Sequence, residues 1–143
     1  MRELKFRGKD SKENWVYGYF IHFQDLFRKR EAYKISTGFS DSMPDVGGYD
    51  FCADYEDVNP ETVGQFTGVK DVNGREIYEG DIVRVRVTND RFKKNPRFRN
   101  GVVSFCEYDG GWTNGCYHLF IPKRMEVIGN IHDDPELLEG GEK

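Results

Sequence analysis

Aromatic and β-branched residues recur on alternate positions through much of this chain, the period-two mark of β-strands. In residues 15–23, WVYGYFIHF, Trp15, Tyr17, Tyr19, Ile21 and Phe23 fall on one face and Phe20 on the other. Apolar character on both faces predicts a strand inside a sheet. Residues 31–37 read as the strand returning beside it. Phe23, Leu26, Phe27 and Arg30 have helical spacing, over a span short enough that a loop or a single turn fits equally. Further strands are predicted at residues 4–7, 62–67, 82–88, 101–108, 117–121 and 126–131, with 101–108 and 117–121 expected to pair. Residues 38–60 hold Gly47-Gly48 and two prolines and predict a loop-rich stretch. Asp134-Pro135 predicts a short helix, Asp as N-cap and Pro at the first helical position, ending near Leu138.

Residues 65–83, QFTGVKDVNGREIYEGDIV, concentrate turn signals. Asn73-Gly74, between Val69 and Val72 on one side and Ile77 and Tyr78 on the other, predicts a hairpin turn. Glu79-Gly80-Asp81 predicts a second turn, which feeds the alternating run from Ile82 to Val87. Gly68, Gly74 and Gly80 are therefore read as backbone residues chosen for their dihedral freedom. A phosphate-binding glycine loop requires a following helix, and here a strand follows. Asp81 is expected to accept backbone hydrogen bonds rather than to transfer protons. The predicted fold is mainly β, with small barrel-like or strongly curled antiparallel sheets and few short helices. Residues 1–143 are expected to form one folded unit, with subdomains at 1–67, an N-terminal β part, and 68–143. The latter is expected to be a small SH3-like barrel with a short terminal helix.

The same central stretch resembles the signature of the YopX family of phage and prophage proteins: Gln65, Phe66, Thr67, Gly68, Lys70, Asp71, Asn73, Gly74, and the run from Glu76 to Val83. The opening Arg2, Glu3, Lys5, Phe6 and Arg7 is similar to that family's start. The run from Glu126 to Leu138, EVIGNIHDDPELL, is similar to its end. Residues 24–57 and 88–100 match no part of the pattern. The family is defined by sequence and not by an activity, so the resemblance implies no catalytic or binding residue. It implies a phage or prophage origin and a small, mostly β protein.

A chain of 143 residues supplies about one domain with a real core. Aromatic residues at 15% compensate for a hydrophobic content of only 37%. No window is apolar enough to span a bilayer, and the charged opening predicts no signal peptide. Cys52, Cys106 and Cys116 form no CxxC pair and read as reduced thiols, which places the chain in the bacterial host cytoplasm.

Charge is unevenly distributed along the chain. Residues 36–60 carry no Lys or Arg but six acids: Asp41, Asp45, Asp50, Asp54, Glu56 and Asp57. Residues 84–99 carry Arg84, Arg86, Arg91, Lys93, Lys94, Arg97 and Arg99 against Asp90 alone, with Phe92 and Phe98 among them. Cations beside aromatic faces suit a nucleic-acid backbone and unpaired bases. A solvated loop between strands, or a partner for the acidic segment within the chain or across a subunit boundary, accounts for the same residues. The net charge of −4 weakens long-range steering toward nucleic acid. His22, His118 and His132 show no metal-ligand spacing. Cys106, Cys116 and His118 would form a zinc set only if folding gathered them. No nucleophile elbow occurs. No cofactor, metal or enzymatic activity is implied. The leading expectation is a protein-interaction or self-assembling module, a homo-oligomer or the partner of another protein, with Trp112 and Tyr117 in a flexible aromatic loop as contact residues. Trp112 as a cap on the barrel is the competing account. Nucleic-acid binding through residues 84–99 is the alternative function.

Overall fold

A computed structural model describes residues 3–39, 53–87, 97–115 and 120–139. The chain forms two compact units, Glu3–Gln65 and Phe66–Lys143. Both are built from strongly curled antiparallel sheets, and the described residues contain no α-helix.

The first unit holds β1 (Phe6–Lys9), β2 (Trp15–Asp25), β3 (Arg30–Phe39), β4 (Ala53–Asp57) and the start of β5 (Asn59–Lys70). Their order is β4-β3-β2-β1-β5, every pair antiparallel. The aromatic strand β2 lies inside the sheet, as its pattern predicts. Leu26 and Phe27, with their helical spacing, belong to the turn between β2 and β3 and are exposed. That turn is held by Asp25, whose Oδ1 accepts from the amides of Phe27 and Arg28, both at 3.1 Å. A carboxylate that binds the next amides this way competes with helix formation. The loop-rich reading of residues 38–60 missed β4. Its sequence, ADYED, has little intrinsic strand preference, and pairing with β3 decides its conformation. Ile35 is fully buried at the centre of this unit's core, with Val58 beside it. Gly8 lets them close: a Cβ there would lie 3.1–3.2 Å from Val58, Ile35 and Val63.

The second unit contains the end of β5, then β6 (Glu76–Tyr78), β7 (Asp81–Val87), β8 (Arg97–Val102), β9 (Ser104–Cys106), β10 (Gly111–Thr113) and β11 (Met125–Asn130). β7 lies between β11 and β8, β5 pairs with β6, and β9 pairs with β10. Ile77, Val83, Val85, Val103, Met125 and Val127 form its core, with Val69, Trp112 and Phe120 packed around them.

Two expectations are corrected here. The strand predicted over residues 101–108 is broken at Val103, and its second half pairs with Gly111–Thr113; the expected partner, residues 117–121, lies largely outside the described residues. Val103 leaves the ladder because its backbone serves the Gly80 turn. Its amide donates to the Asp81 carbonyl and its carbonyl accepts from the Gly80 amide, each at 2.9 Å. The predicted terminal helix is a single 3-10 turn, Pro135–Leu138, and Asp134 makes no side-chain cap. Its Oδ2 instead accepts from the Asn130 amide at 3.3 Å, tying the turn back to the end of β11.

Candidate functional site

The basic segment is only partly one surface. Along β7 the buried Val83 and Val85 alternate with the exposed Arg84 and Arg86, as period two requires. Register places Arg84 opposite Asn100 and Arg86 opposite Phe98, so these four share a face. The Arg84 guanidinium sits 4.0 Å from the Phe98 ring centroid, a cation–π contact that covers one face of a half-buried ring. Arg97 and Arg99 are opposite Val87 and Val85 and project from the other face. Glu126 of β11 lies opposite Arg84 and places an acid beside the pair. The expected cluster is thus divided between two faces by strand register. Arg91, Phe92, Lys93 and Lys94 lie outside the described residues.

Trp112 belongs to β10, not to a flexible loop. It pairs with Phe105 across the β9–β10 hairpin, the rings meeting edge to face at 5.3 Å and 79°. It is half-buried against the core of its unit, whereas Phe105 and Tyr108 are exposed. Tyr117 lies outside the described residues, as do Cys52, Cys116 and His118. Cys106 stays by Asp109, with its Sγ 3.6 Å from the carboxylate.

A third surface, in the first unit, was only half visible in the sequence. Tyr17, Tyr19 and Phe23 occupy alternate positions of β2 and are 47%, 67% and 42% exposed. Tyr19 lies opposite Ser36, and Ser36 opposite Tyr55 of β4, which is itself exposed. Phe23 lies opposite Ala32. Ala32 and Ser36 are buried and small, so β3 forms a low floor between the β2 aromatics and Tyr55. Between these rows Lys34 bridges Asp57 at 2.9 Å and holds its carboxyl below the usual carboxylate range. Beyond Tyr17, the cations of Arg7 and Lys9 lie 4.5 and 5.2 Å from the Trp15 ring. The opposite face is packed with its own rings: Phe20 stacks on Tyr33, and Tyr33 on His22 at 4.5 Å. His22 Nε2 is 2.6 Å from Glu31 Oε2. Alternation in β2 showed which aromatics share a face. It carried no signal that this face is the uncovered one, and none for Tyr55.

The motif-rich stretch at residues 65–83 is occupied with holding backbone. Asp71 is buried; its Oδ1 accepts from the amides of Asn73 at 2.9 Å and Arg75 at 2.8 Å, and its Oδ2 from that of Val127 at 2.9 Å. Gly74 takes the left-handed conformation the turn demands, φ 79°. Asp81, also buried, accepts from the Tyr78 amide at 2.7 Å, as its turn position predicts. Gly80, φ 89°, is joined on one side to Val103 and on the other to Ile131. Burial raises the carboxyl of neighbouring Glu79 above its ordinary range. Among the described residues, no three His, Cys, Asp or Glu side chains gather as a metal set, and no helix is long and apolar enough to cross a membrane.

The family described as YopX protein matches residues 5–139. No curated protein matches. Among solved structures, the chain is similar to the crystal structure of protein EF1440 from Enterococcus faecalis, with a TM-score of 0.56 at 24% identity. That likeness covers 96% of this chain and 99% of the other, and it is a likeness of fold. With the family match spanning nearly the whole chain, this protein belongs to the YopX family.

Proposed function

We propose that this protein is a non-enzymatic interaction module, a phage or prophage accessory factor acting in the bacterial cytoplasm, and that it engages a protein partner through the aromatic face of its first unit. One observation carries the reading: Tyr17, Tyr19, Phe23 and Tyr55 stand exposed on one face of a single sheet. Large rings left in water around a floor of small side chains form a surface whose burial is favourable, and tyrosine is prominent among residues that dominate interfaces. In the second unit, the short curled strands and exposed hairpin suit the frame of an SH3-like barrel, a scaffold compatible with the same role. The test is affinity capture from induced cells, with and without nuclease, by the wild-type protein and by a Tyr19→Ser/Phe23→Ser variant. The variant is expected to keep its melting temperature within a few degrees, because both side chains are exposed, and to bind the captured protein at least about ten-fold more weakly. Equal capture by the variant and the wild type would remove the aromatic face from the account.

A second reading rests on Arg84 and Arg86, exposed side by side on β7. Under it, the protein binds nucleic acid through phosphate contacts. Arg84→Ala/Arg86→Ala would then weaken binding to single-stranded DNA or RNA on all sequences alike and flatten its salt dependence by roughly one to two units of log–log slope. Binding that ignores salt, or ignores both substitutions, excludes it.

A further inference from the structure

The β2–β3 hairpin reaches past its neighbours. β1 pairs with β2 from Trp15 to Gly18, and β4 with β3 from Lys34 to Phe39, after which the Val58 amide still donates to the Tyr33 carbonyl. Beyond those contacts the described strands run on as a ribbon of two, Phe23, Gln24 and Asp25 opposite Ala32, Glu31 and Arg30. Residues 22–24 and 26–31 are all exposed.

The ribbon ends in Leu26-Phe27-Arg28-Lys29-Arg30. Phe27 is 100% exposed and Leu26 77%, the extremes of apolar exposure in the first unit. They are held out in water by an ordered turn. Asp25 Oδ1 accepts from the Phe27 and Arg28 amides, and Lys29 closes the turn in the left-handed conformation, φ 53°. Arg28 Nε lies 3.9 Å from Asp25 Oδ2, and Glu31 is engaged by His22. Arg28 and Arg30 also act on Asp57, whose near partner is Lys34. Three cations therefore stand against two acids, Asp25 and Glu31, and the tip stays positive.

Two apolar side chains at the point with cations directly behind them match the layers of a bilayer surface. Leucine and phenylalanine gain by leaving water for hydrocarbon, while long Arg and Lys stems keep their charges at headgroup level. A stack of bases would use the Phe27 ring but not Leu26, which has no π-face. An acyl layer takes both. At about 0.15 M salt, charges more than about 8 Å away are largely screened, so the tip cations act on adjacent phosphates with little opposition from the net −4 of the chain.

We propose that the β2–β3 tip docks this protein on an anionic lipid bilayer, Leu26 and Phe27 entering the acyl boundary and Arg28, Lys29 and Arg30 lying among the lipid phosphates. The contact uses the tip, whereas the proposed protein partner uses the rings of Tyr17, Tyr19, Phe23 and Tyr55. One apolar and one electrostatic signal together give reversible surface binding.

Cosedimentation with vesicles of phosphatidylglycerol and phosphatidylcholine, and with phosphatidylcholine alone, tests it at that salt. The wild-type protein is expected to bind the anionic vesicles and to bind the neutral ones at least about ten-fold more weakly. Leu26→Ser/Phe27→Ser should weaken binding to anionic vesicles by at least about ten-fold, and Lys29→Gln/Arg30→Gln by roughly twenty-fold. Both variants should melt within a few degrees of the wild type, because the replaced side chains are exposed. Phe27→Trp adds a reporter: with the wild-type signal of Trp15 and Trp112 subtracted, its emission should move to the blue on anionic vesicles. A wild-type protein that ignores anionic vesicles overturns the proposal, as does binding that Leu26→Ser/Phe27→Ser retains. A Phe27→Trp emission that stays at its aqueous wavelength on bound protein overturns it too. So does a tip that binds single-stranded DNA in preference to vesicles and loses that binding in Leu26→Ser/Phe27→Ser.

Discussion

Gly18→Ala is expected to disrupt the first unit. Gly18 lies in the middle of β2, where its α-carbon faces the neighbouring strand so closely that a Cβ would collide with the Ser36 carbonyl oxygen. That oxygen belongs to backbone and has no rotamer through which to retreat, and Gly18 itself sits at φ 157°. To admit one methyl, β2 and β3 must separate around Tyr19 and Ser36, breaking ladder hydrogen bonds on both sides. Overpacking against backbone at a central strand costs about 3–5 kcal/mol, the upper range for single substitutions. For a chain of this size the loss corresponds to a melting temperature lower by roughly 10–20 °C. Thermal unfolding followed by circular dichroism measures it. Gly111→Ala is the control: it is a strand glycine with nothing within 4 Å of the position its Cβ would take, and its substitution should shift the melting temperature by less than about 3 °C. If the two variants melt together, the close approach at Gly18 is not a feature of the folded protein.

Asp71→Ala should be comparably damaging to the second unit, by a different route. Three backbone amides, those of Asn73, Arg75 and Val127, donate to this buried carboxylate. Alanine leaves all three without that acceptor, in a place water does not readily reach. Charge-assisted bonds of this kind, lost together, are worth about 3–5 kcal/mol. Asp71→Asn separates the contributions. It keeps an oxygen for the Asn73 and Arg75 amides but turns an NH2 group toward the Val127 N–H, so about half of the loss is expected. Hydrogen exchange gives the local readout. Protection at Asn73, Arg75 and Val127 should fall together in Asp71→Ala, whereas Asp71→Asn should expose Val127 first. Unchanged protection at Val127 in both variants would mean that the carboxylate does not join the turn to β11.

Both residues bear on how much of this protein can be read without coordinates. The Asn73-Gly74 and Glu79-Gly80-Asp81 turns were legible because their causes are local. A positive φ at glycine, or a carboxylate reaching amides two to four residues away, is set by neighbours in the chain. The strand character of β2, β3, β7 and β11 was legible for the same reason, since alternation is a property of consecutive residues. What joins those pieces was not. The third bond of Asp71 reaches an amide 56 residues away. Residues 53–57 became a strand because β3 offered an edge, against the preference of an acidic sequence. Nothing in the order of residues around Gly18 shows the Ser36 carbonyl that lies against it.

The candidate surfaces divide along the same line. From its order of residues alone, this chain determined that Tyr17, Tyr19 and Phe23 lie on one side of β2 and that Arg84 and Arg86 lie together on β7. Two alternating neighbours must face the same way in any pleated strand. Folding determined that the tyrosine face stays in water while Phe20 and Tyr33 stack behind it, and that Arg97 and Arg99 face away from Arg84 and Arg86. Period two specifies which side chains travel together. Which side of the sheet is covered, and which residue meets which across a register, depends on distant segments packing against it.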